Sequence, residues 1–329
     1  MLKQEVMAGA KQRTLGDSGV RVSRLGVGGG SLATGGDEQA AMAMLQACWD
    51  AGLRHYDTAP LYNDSEARLG RFLAGQDGRD FVVSTKVGRL PAPAGGRRFD
   101  FSGRAIERSI EVSLKRLGLD QLDMVSVHDL TSAMVGEGFA DALKALRDSG
   151  IERLLALKRS GVVRAIGLAL YDAAGAVELL QVAPFDYVMI VGGYSLVRHD
   201  ALDALLPVCV ARGVGVMMAS PFHTGLLVSG AVRGALFDFQ PAGAEMLERV
   251  RQLELACARH GVSLAAAALQ FPLLHPAIAN VVVGHRSPAE VAANLSWLEA
   301  PIPAPFWADL VDQGLLPAGA PITPLAAEA

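Results

Sequence analysis

The sequence predicts a (β/α)8 TIM barrel with an N-terminal β-hairpin, on three observations. Eight short apolar runs of strand length recur along the 329 residues. Segments with apolar residues at helical spacing separate them, so a helix can return the chain between parallel strands. The first run also lacks the glycine fingerprint of the rival doubly wound sheet. Strands that are apolar throughout are those covered on both faces. Eight such units within roughly 250–300 residues is the count of a barrel.

The elements follow in order. Thr14–Ser23 reads as a hairpin with Asp17-Ser-Gly19 as its turn, placed to plug the barrel's bottom. The strand candidates are Leu25–Gly30, Arg54–Ala59, Phe81–Lys86, Met124–Asp129, Ala165–Leu170, Tyr187–Gly192, Gly215–Ser220 and Asn280–Gly284. Between them Met44, Leu45, Cys48 and Trp49 fall on one helical face, as do Ile106, Ile110, Leu114 and Leu117, and Leu202, Leu205, Leu206 and Cys209. Gly26-Val-Gly-Gly-Gly-Ser31 is not GxGxxG. Asp57 follows it too late to be the acid that a dinucleotide fold places about 20 residues on. These glycines read as turn and close-packing residues. Gly88–Arg98 reads as a mobile loop after the third strand, and Ser220–Gly243 as a longer excursion after the seventh, with room for a short helix. The tail beyond Leu316 is read either as partly disordered or as draped over the barrel. No internal repeat or linker divides the chain, so residues 1–329 are taken as one domain: hairpin 13–24, barrel about 25–300, tail 301–329.

Composition narrows the function. With 51% hydrophobic and 19% charged residues the chain can bury a large core. A net charge of −4 without a basic stripe argues against nucleic acid. No stretch of about 18 apolar residues argues for a membrane span. Met1-Leu-Lys-Gln-Glu-Val6 lacks the form of a signal peptide. Cys48, Cys209 and Cys257 have no metal-ligand spacing, so no metal is expected, and Cys48 and Cys209 read as buried thiols. A reducing cytoplasm fits this usage. Oligomeric state is left open.

Four polar residues stand at or beside the ends of apolar runs. They are Asp57, Tyr62, Lys86 and His128, on the second, third and fourth strand candidates and the loop after the second. In a barrel such ends converge on one mouth. An ammonium beside a phenol favours the phenolate, so Lys86 is expected to pull Tyr62 below its usual pKa of about 10. Asp57 would pin Lys86. His128 would hydrogen-bond a substrate oxygen. Singly, each has a plainer reading: a rim aromatic, a capping Asp, a structural ion pair, a His-Asp metal or hydrolase fragment. Together they suit proton movement at a carbonyl or carbinol carbon.

From the hairpin to about Trp297 the chain resembles the aldo-keto reductases. The matching segments are Gly52-Leu-Arg-His-Tyr-Asp-Thr-Ala-Pro-Leu-Tyr62, Ser84-Thr-Lys-Val-Gly88, Leu122-Asp-Met-Val-Ser-Val-His128 and Val283-Gly-His-Arg-Ser287. Tyr194-Ser-Leu196, Ala219–Leu227 and Pro301–Leu310 look more like the subgroup of D-threo-aldose (L-fucose) 1-dehydrogenases and pyridoxal 4-dehydrogenases. The resemblance implies an NAD(P)-dependent oxidoreductase acting on a sugar or other hemiacetal. Asp57, Tyr62, Lys86 and His128 would be catalytic, and Tyr62, His128 and His223 would meet substrate. It implies cofactor contacts from Gly29, Asp57, Ser220, Phe222, Gly225, Gly284, Arg286, Ser287, Glu290 and Asn294. Ser287-Pro-Ala-Glu290 also forms a capping box, and a carboxylate at Glu290 favours NAD over NADP, with Arg286 pulling the other way. Ala169, Leu170, Val191 and Ala219 depart from the family's usual nicotinamide contacts, leaving Tyr171 or Tyr194 to take over the ring. Asn63, Arg89, Asp129 and Arg198 join His223 as candidates for sugar hydroxyls. Rival readings are an NADPH-dependent aldehyde or ketone reductase, and a cofactor-binding regulatory subunit.

Overall fold

The computed structural model describes residues 11–33, 37–93 and 95–323. The two-stranded hairpin is β1 (Gln12–Thr14) and β2 (Arg21–Ser23). The strands that follow are β3 (Leu25–Gly28), β4 (His55–Asp57), β5 (Val82–Val87), β6 (Arg89–Pro91), β7 (Arg97–Phe99), β8 (Leu122–His128) and β9 (Val163–Leu170). After them come β10 (Tyr187–Val191), β11 (Gly215–Ala219), β12 (Leu236–Phe237), β13 (Gln240–Pro241) and β14 (Ile278–Val283). Eight of these close a parallel barrel in the order β3-β4-β5-β8-β9-β10-β11-β14, with β14 paired back onto β3. The eight runs read from the sequence are these eight strands.

Two apolar layers result. Outside the barrel, residues such as Val83, Val125, Ile166 and Val281 pack against the helices. Inside lie Met124, Ala165, Ala169, Tyr187, Met189, Met217 and Val282, and the hairpin's Leu15, Val20 and Val22 join this inner set. The hairpin therefore seals the N-terminal end of the strands, as expected. Gly16 makes the seal possible. It has φ 52°, bridges to Val214, and a Cβ there would stand 2.3 Å from Gly213 O. Only glycine fits both the left-handed backbone and the approach. Gly167 plays the same part within the barrel, where a Cβ would lie 2.6 Å from the Tyr187 ring. That ring's hydroxyl is hydrogen-bonded with Ser126 Oγ at 2.8 Å.

The helices begin and end on recognisable signals. Ser102 Oγ accepts from Ala105 N to start helix Gly103–Leu117, and Gly118 in left-handed backbone ends it. Gly88–Arg98 is not the open loop expected. Its ends pair as the antiparallel hairpin β6–β7, anchored by Asp100 N donating to Gly88 O at 2.8 Å. The excursion after β11 carries helix Leu226–Ser229 and the small hairpin β12–β13. The tail drapes. Helix Ala304–Asp312 buries Phe306, Trp307 and Leu310, and Asp309 accepts from Arg259 and His260 at 2.9 and 3.0 Å. Leu315, Leu316 and Ala320 continue the burial, whereas Pro324 and the terminal alanines, like Met1–Val6, lie outside the described residues. All three cysteines are free and buried, and burial raises the Cys48 and Cys209 thiols to about 12. Among the described residues no helix is long and apolar enough to cross a membrane, and no group of His, Cys, Asp and Glu could hold a metal ion.

Candidate active site

Asp57 closes β4, Lys86 comes one residue before the end of β5, and His128 closes β8. These strands are successive neighbours in the barrel, so the three side chains meet at its C-terminal mouth. Tyr62 follows β4 in a turn held by Tyr62 N to Ala59 O at 3.0 Å and Ser65 N to Tyr62 O at 2.9 Å. That turn leads straight into helix Ser65–Ala74. The structure thus brings together all four residues expected to be catalytic.

Lys86 is 2% exposed and donates from Nζ to Asp57 Oδ2 at 2.6 Å and to Thr58 O at 2.9 Å. Burial opposes its charge most, but Asp57 and Tyr62 together outweigh burial and its pKa is raised, so the ammonium persists. Nζ stands 4.9 Å from the centroid of the Tyr62 ring, and the Tyr62 and His128 rings meet edge to face at 6.1 Å. The expected depression of Tyr62 is not found. Burial raises its pKa, and the Lys86 charge offsets only part of that. Tyr62 is accordingly a phenol, a proton donor, at neutral pH. His128 is driven well below its usual range by burial and then by Lys86 and Arg89, so its imidazole is neutral.

Beneath the four runs a buried polar chain that sequence reasoning missed. Asn280 Nδ2 donates to Ser23 O at 2.8 Å and to His55 Nδ1 at 3.1 Å. His55 Nε2 donates to Ser84 Oγ at 3.1 Å, and Ser84 Oγ donates to Asp57 Oδ1 at 2.7 Å. Ser84 has one proton, and Asp57 takes it, which sets the His55 tautomer. A signal was available. His55 and Ser84 stand two residues before Asp57 and Lys86 on their strands, and alternate residues share a face.

At the mouth Arg89 donates to Asp129 Oδ2, and His128 Nε2 lies 3.6 Å from the same oxygen. Of the other hydroxyl-reading candidates, Asn63 is exposed, and Arg198 is committed to Asp238 at 2.6 Å. His223, expected to meet substrate, belongs to the lining of the groove beside the mouth. It is wholly buried, with Nε2 on Ser195 Oγ at 2.7 Å and Nδ1 on Asp238 Oδ1 at 2.9 Å, so it holds the excursion in place. Left-handed backbone at Ser220, His223 and Thr224 turns it inward.

A cavity of about 190 Å³ runs beside the mouth, lined by Tyr171, Ser220, Phe222, Phe239, Val283 and Gly284 among others. Three of the expected cofactor residues, Ser220, Phe222 and Gly284, therefore share one groove. Gly225 caps the next short helix instead. Gly29 gives its N–H to Asp57 O at 2.6 Å, and a Cβ there would meet Ser65 Oγ at 2.7 Å, so packing alone accounts for that glycine. Tyr171, 42% exposed, reaches the groove, but Tyr194 is buried in a stack with Phe271 at 4.8 Å and cannot. Past the groove, Ser287 Oγ accepts from Glu290 N at the start of helix Pro288–Glu299. Glu290 is bonded by Arg286 N and Nε at 2.9 and 3.0 Å; these hold its pKa down against the upward push of burial. Asn294 is buried, with its Oδ1 bonded by no group among the described residues.

Comparison with known proteins agrees with this geometry. The model of the "Aldo/keto reductase family" matches residues 24–312. The chain is 34% identical to a D-threo-aldose 1-dehydrogenase of Pseudomonas sp, over 91% of this chain and 96% of that one. It is 33% identical to a pyridoxal 4-dehydrogenase of Microbacterium luteolum, over 93% and 98%. Among solved structures, an aldo-keto reductase from Bacillus halodurans in its holo form superposes with a TM-score of 0.77 at 28% identity, covering 96% of this chain and 98% of that one. With its eight-stranded barrel, its buried Asp57–Lys86 pair and a family match spanning most of its length, the chain belongs to the aldo/keto reductase family.

Proposed function

We propose that this oxidoreductase oxidises a cyclic aldose at C1 to the lactone, using NAD. The observation that carries the reading is the meeting of Tyr62, neutral His128 and the Asp57–Lys86 pair at one mouth. The resemblance to a D-threo-aldose 1-dehydrogenase supports the substrate class.

The residues present suit a nicotinamide dinucleotide. The groove by Ser220 and Gly284 has room for part of it, the start of helix Pro288–Glu299 offers N–H groups, and the orphaned Asn294 Oδ1 can accept from an amino group. Arg286 is paired with Glu290, so a carboxylate and not an unpaired guanidinium would face the adenosine ribose, which favours NAD. The bound nicotinamide supplies the hydride acceptor. Tyr62 Oη, as phenolate, takes the proton of the C1 hydroxyl, and the Lys86 charge stabilises that phenolate. Asp57 holds Lys86 in place through Oδ2. His128 Nε2 hydrogen-bonds the same substrate oxygen and orients it. In the reverse direction Tyr62 starts as the phenol and donates.

Initial rates for L-fucose, D-arabinose, pyridoxal and a simple aldehyde, each with both cofactors, test the reading. Aldose oxidation with NAD is expected to dominate. Activity confined to NADPH-driven aldehyde reduction would sink it. Pyridoxal is the second candidate, because its cyclic hemiacetal is oxidised in the same way and a pyridoxal 4-dehydrogenase is 33% identical.

A further inference from the structure

Asp129 takes no part in the proton transfer above, yet its carboxylate lies against the reacting edge of the site. It is 1% exposed, and its backbone is left-handed, at φ 51°. The first is costly because it desolvates a charge, and the second is a conformation that Asp adopts more readily than most residues with a Cβ. Such costs gather at functional sites. Asp129 Oδ2 receives Arg89 and lies 3.6 Å from His128 Nε2. Arg89 comes from β6, just past the end of the neighbouring strand β5, and its buried Nε has no hydrogen-bond partner among the described residues.

We propose that Asp129, held by Arg89, binds the hydroxyl on the carbon next to the reacting one, so that the site selects α-hydroxy carbonyl compounds and their cyclic forms. This rests on the reading that His128 Nε2 receives the reacting oxygen. That oxygen would sit about 2.8 Å from Nε2, and a neighbouring hydroxyl oxygen is separated from it by a similar distance. A carboxylate oxygen 3.6 Å from Nε2 is therefore within reach of the second hydroxyl. A carboxylate accepts such an O–H strongly, and an aldehyde without the hydroxyl forgoes that bond.

The test compares reduction of lactaldehyde and propanal, which differ by that one hydroxyl, in the parent and in Asp129→Asn. The parent should prefer lactaldehyde in kcat/KM, and Asp129→Asn should lower the lactaldehyde-to-propanal ratio at least tenfold, whatever happens to each rate. Arg89→Met should lower the same ratio and carries the comparison if Asp129→Asn does not fold. A ratio unchanged within about threefold while both rates fall would mean that Asp129 only positions its neighbours, and the proposal fails. It fails equally if the parent does not discriminate or turns over neither aldehyde. A parent that discriminates as stated but oxidises no aldose leaves this proposal standing and removes the sugar dehydrogenase reading.

Discussion

Ser84→Ala is the sharpest probe of how the barrel holds the buried Asp57–Lys86 pair. The Ser84 side chain is wholly buried and makes two bonds, one to Asp57 Oδ1 at 2.7 Å and one from His55 Nε2 at 3.1 Å. A hydrogen bond to a charged group contributes about 1.5–3 kcal/mol, and a buried donor left unpaired costs about 1–3 kcal/mol. The two effects overlap because both involve the same hydroxyl, so a combined loss of about 3 kcal/mol is expected. Removing one oxygen leaves too little space for a water to repair the chain. Urea denaturation of parent and variant, fitted with a common slope, measures the loss. Asp57 keeps its bond to Lys86 but loses its second anchor, so kcat should fall about tenfold, or ~1.4 kcal/mol in barrier, with KM nearly unchanged. A stability change under about 0.5 kcal/mol together with an unaltered kcat would refute the claim that this chain holds Asp57 in place.

Tyr62→Phe should lower turnover by a factor of about 10²–10⁴ while cofactor binding, followed by fluorescence quenching, is kept; loss of binding instead would point to a structural Tyr62. Because the Tyr62 pKa is raised above about 10, the donating phenol is present below that value and lost above it. Aldehyde reduction should then be level through neutral pH and fall only above about 10, whereas oxidation should climb with pH; a reduction limb near 6.5 that moves in His128 variants would contradict the neutral imidazole. His55 and His285 are wholly buried, with pKa lowered to about 4, so below about 6.5 the unfolded chain takes up protons that the folded chain refuses. Stability is therefore whole above that pH and is lost on acidification toward 4, by about 1 kcal/mol per histidine at pH 5.5; melting temperatures that stay level between pH 7 and 5 would count against this. Glu290→Gln frees Arg286 and removes a carboxylate, so the NAD-to-NADP ratio of kcat/KM should fall at least tenfold, and an unchanged ratio would exclude Glu290 as the selector.

The barrel was legible because parallel strands covered on both faces are apolar throughout, and that pattern survives in single-sequence form. Asp57, Lys86 and His128 were legible because a polar head at or near the end of such a strand stands out, and Tyr62 because it lies in the loop that follows one. His55 and Ser84 did not, since a small polar residue inside an apolar strand has no distinguishing mark until its neighbours are known. The Tyr62 pKa was misjudged for a related reason: the sequence placed Lys86 near it, but the balance of burial against charge depends on how dry the site is. His223 lies in the excursion after the seventh strand and reads as a residue of the mouth, and left-handed backbone at residues with side chains, which sequence rarely signals, turns it inward. The β6–β7 hairpin was hidden by its own Gly and Pro content, for its strands are only three residues long.

The hairpin at the bottom has a consequence for proton traffic. The chain from Asp57 through Ser84 and His55 runs downward to Asn280 and stops at the backbone of Ser23, on the last residue of the seal. Its members are all buried, and Leu15, Val20 and Val22 of the hairpin fill the barrel's interior at that end. A proton taken up by Tyr62 therefore has no drain through the floor and must leave by the opening that admitted the substrate. Whatever fills that opening also sets the pace of proton release, so exchange of the Tyr62 proton with solvent should slow once substrate has closed over it.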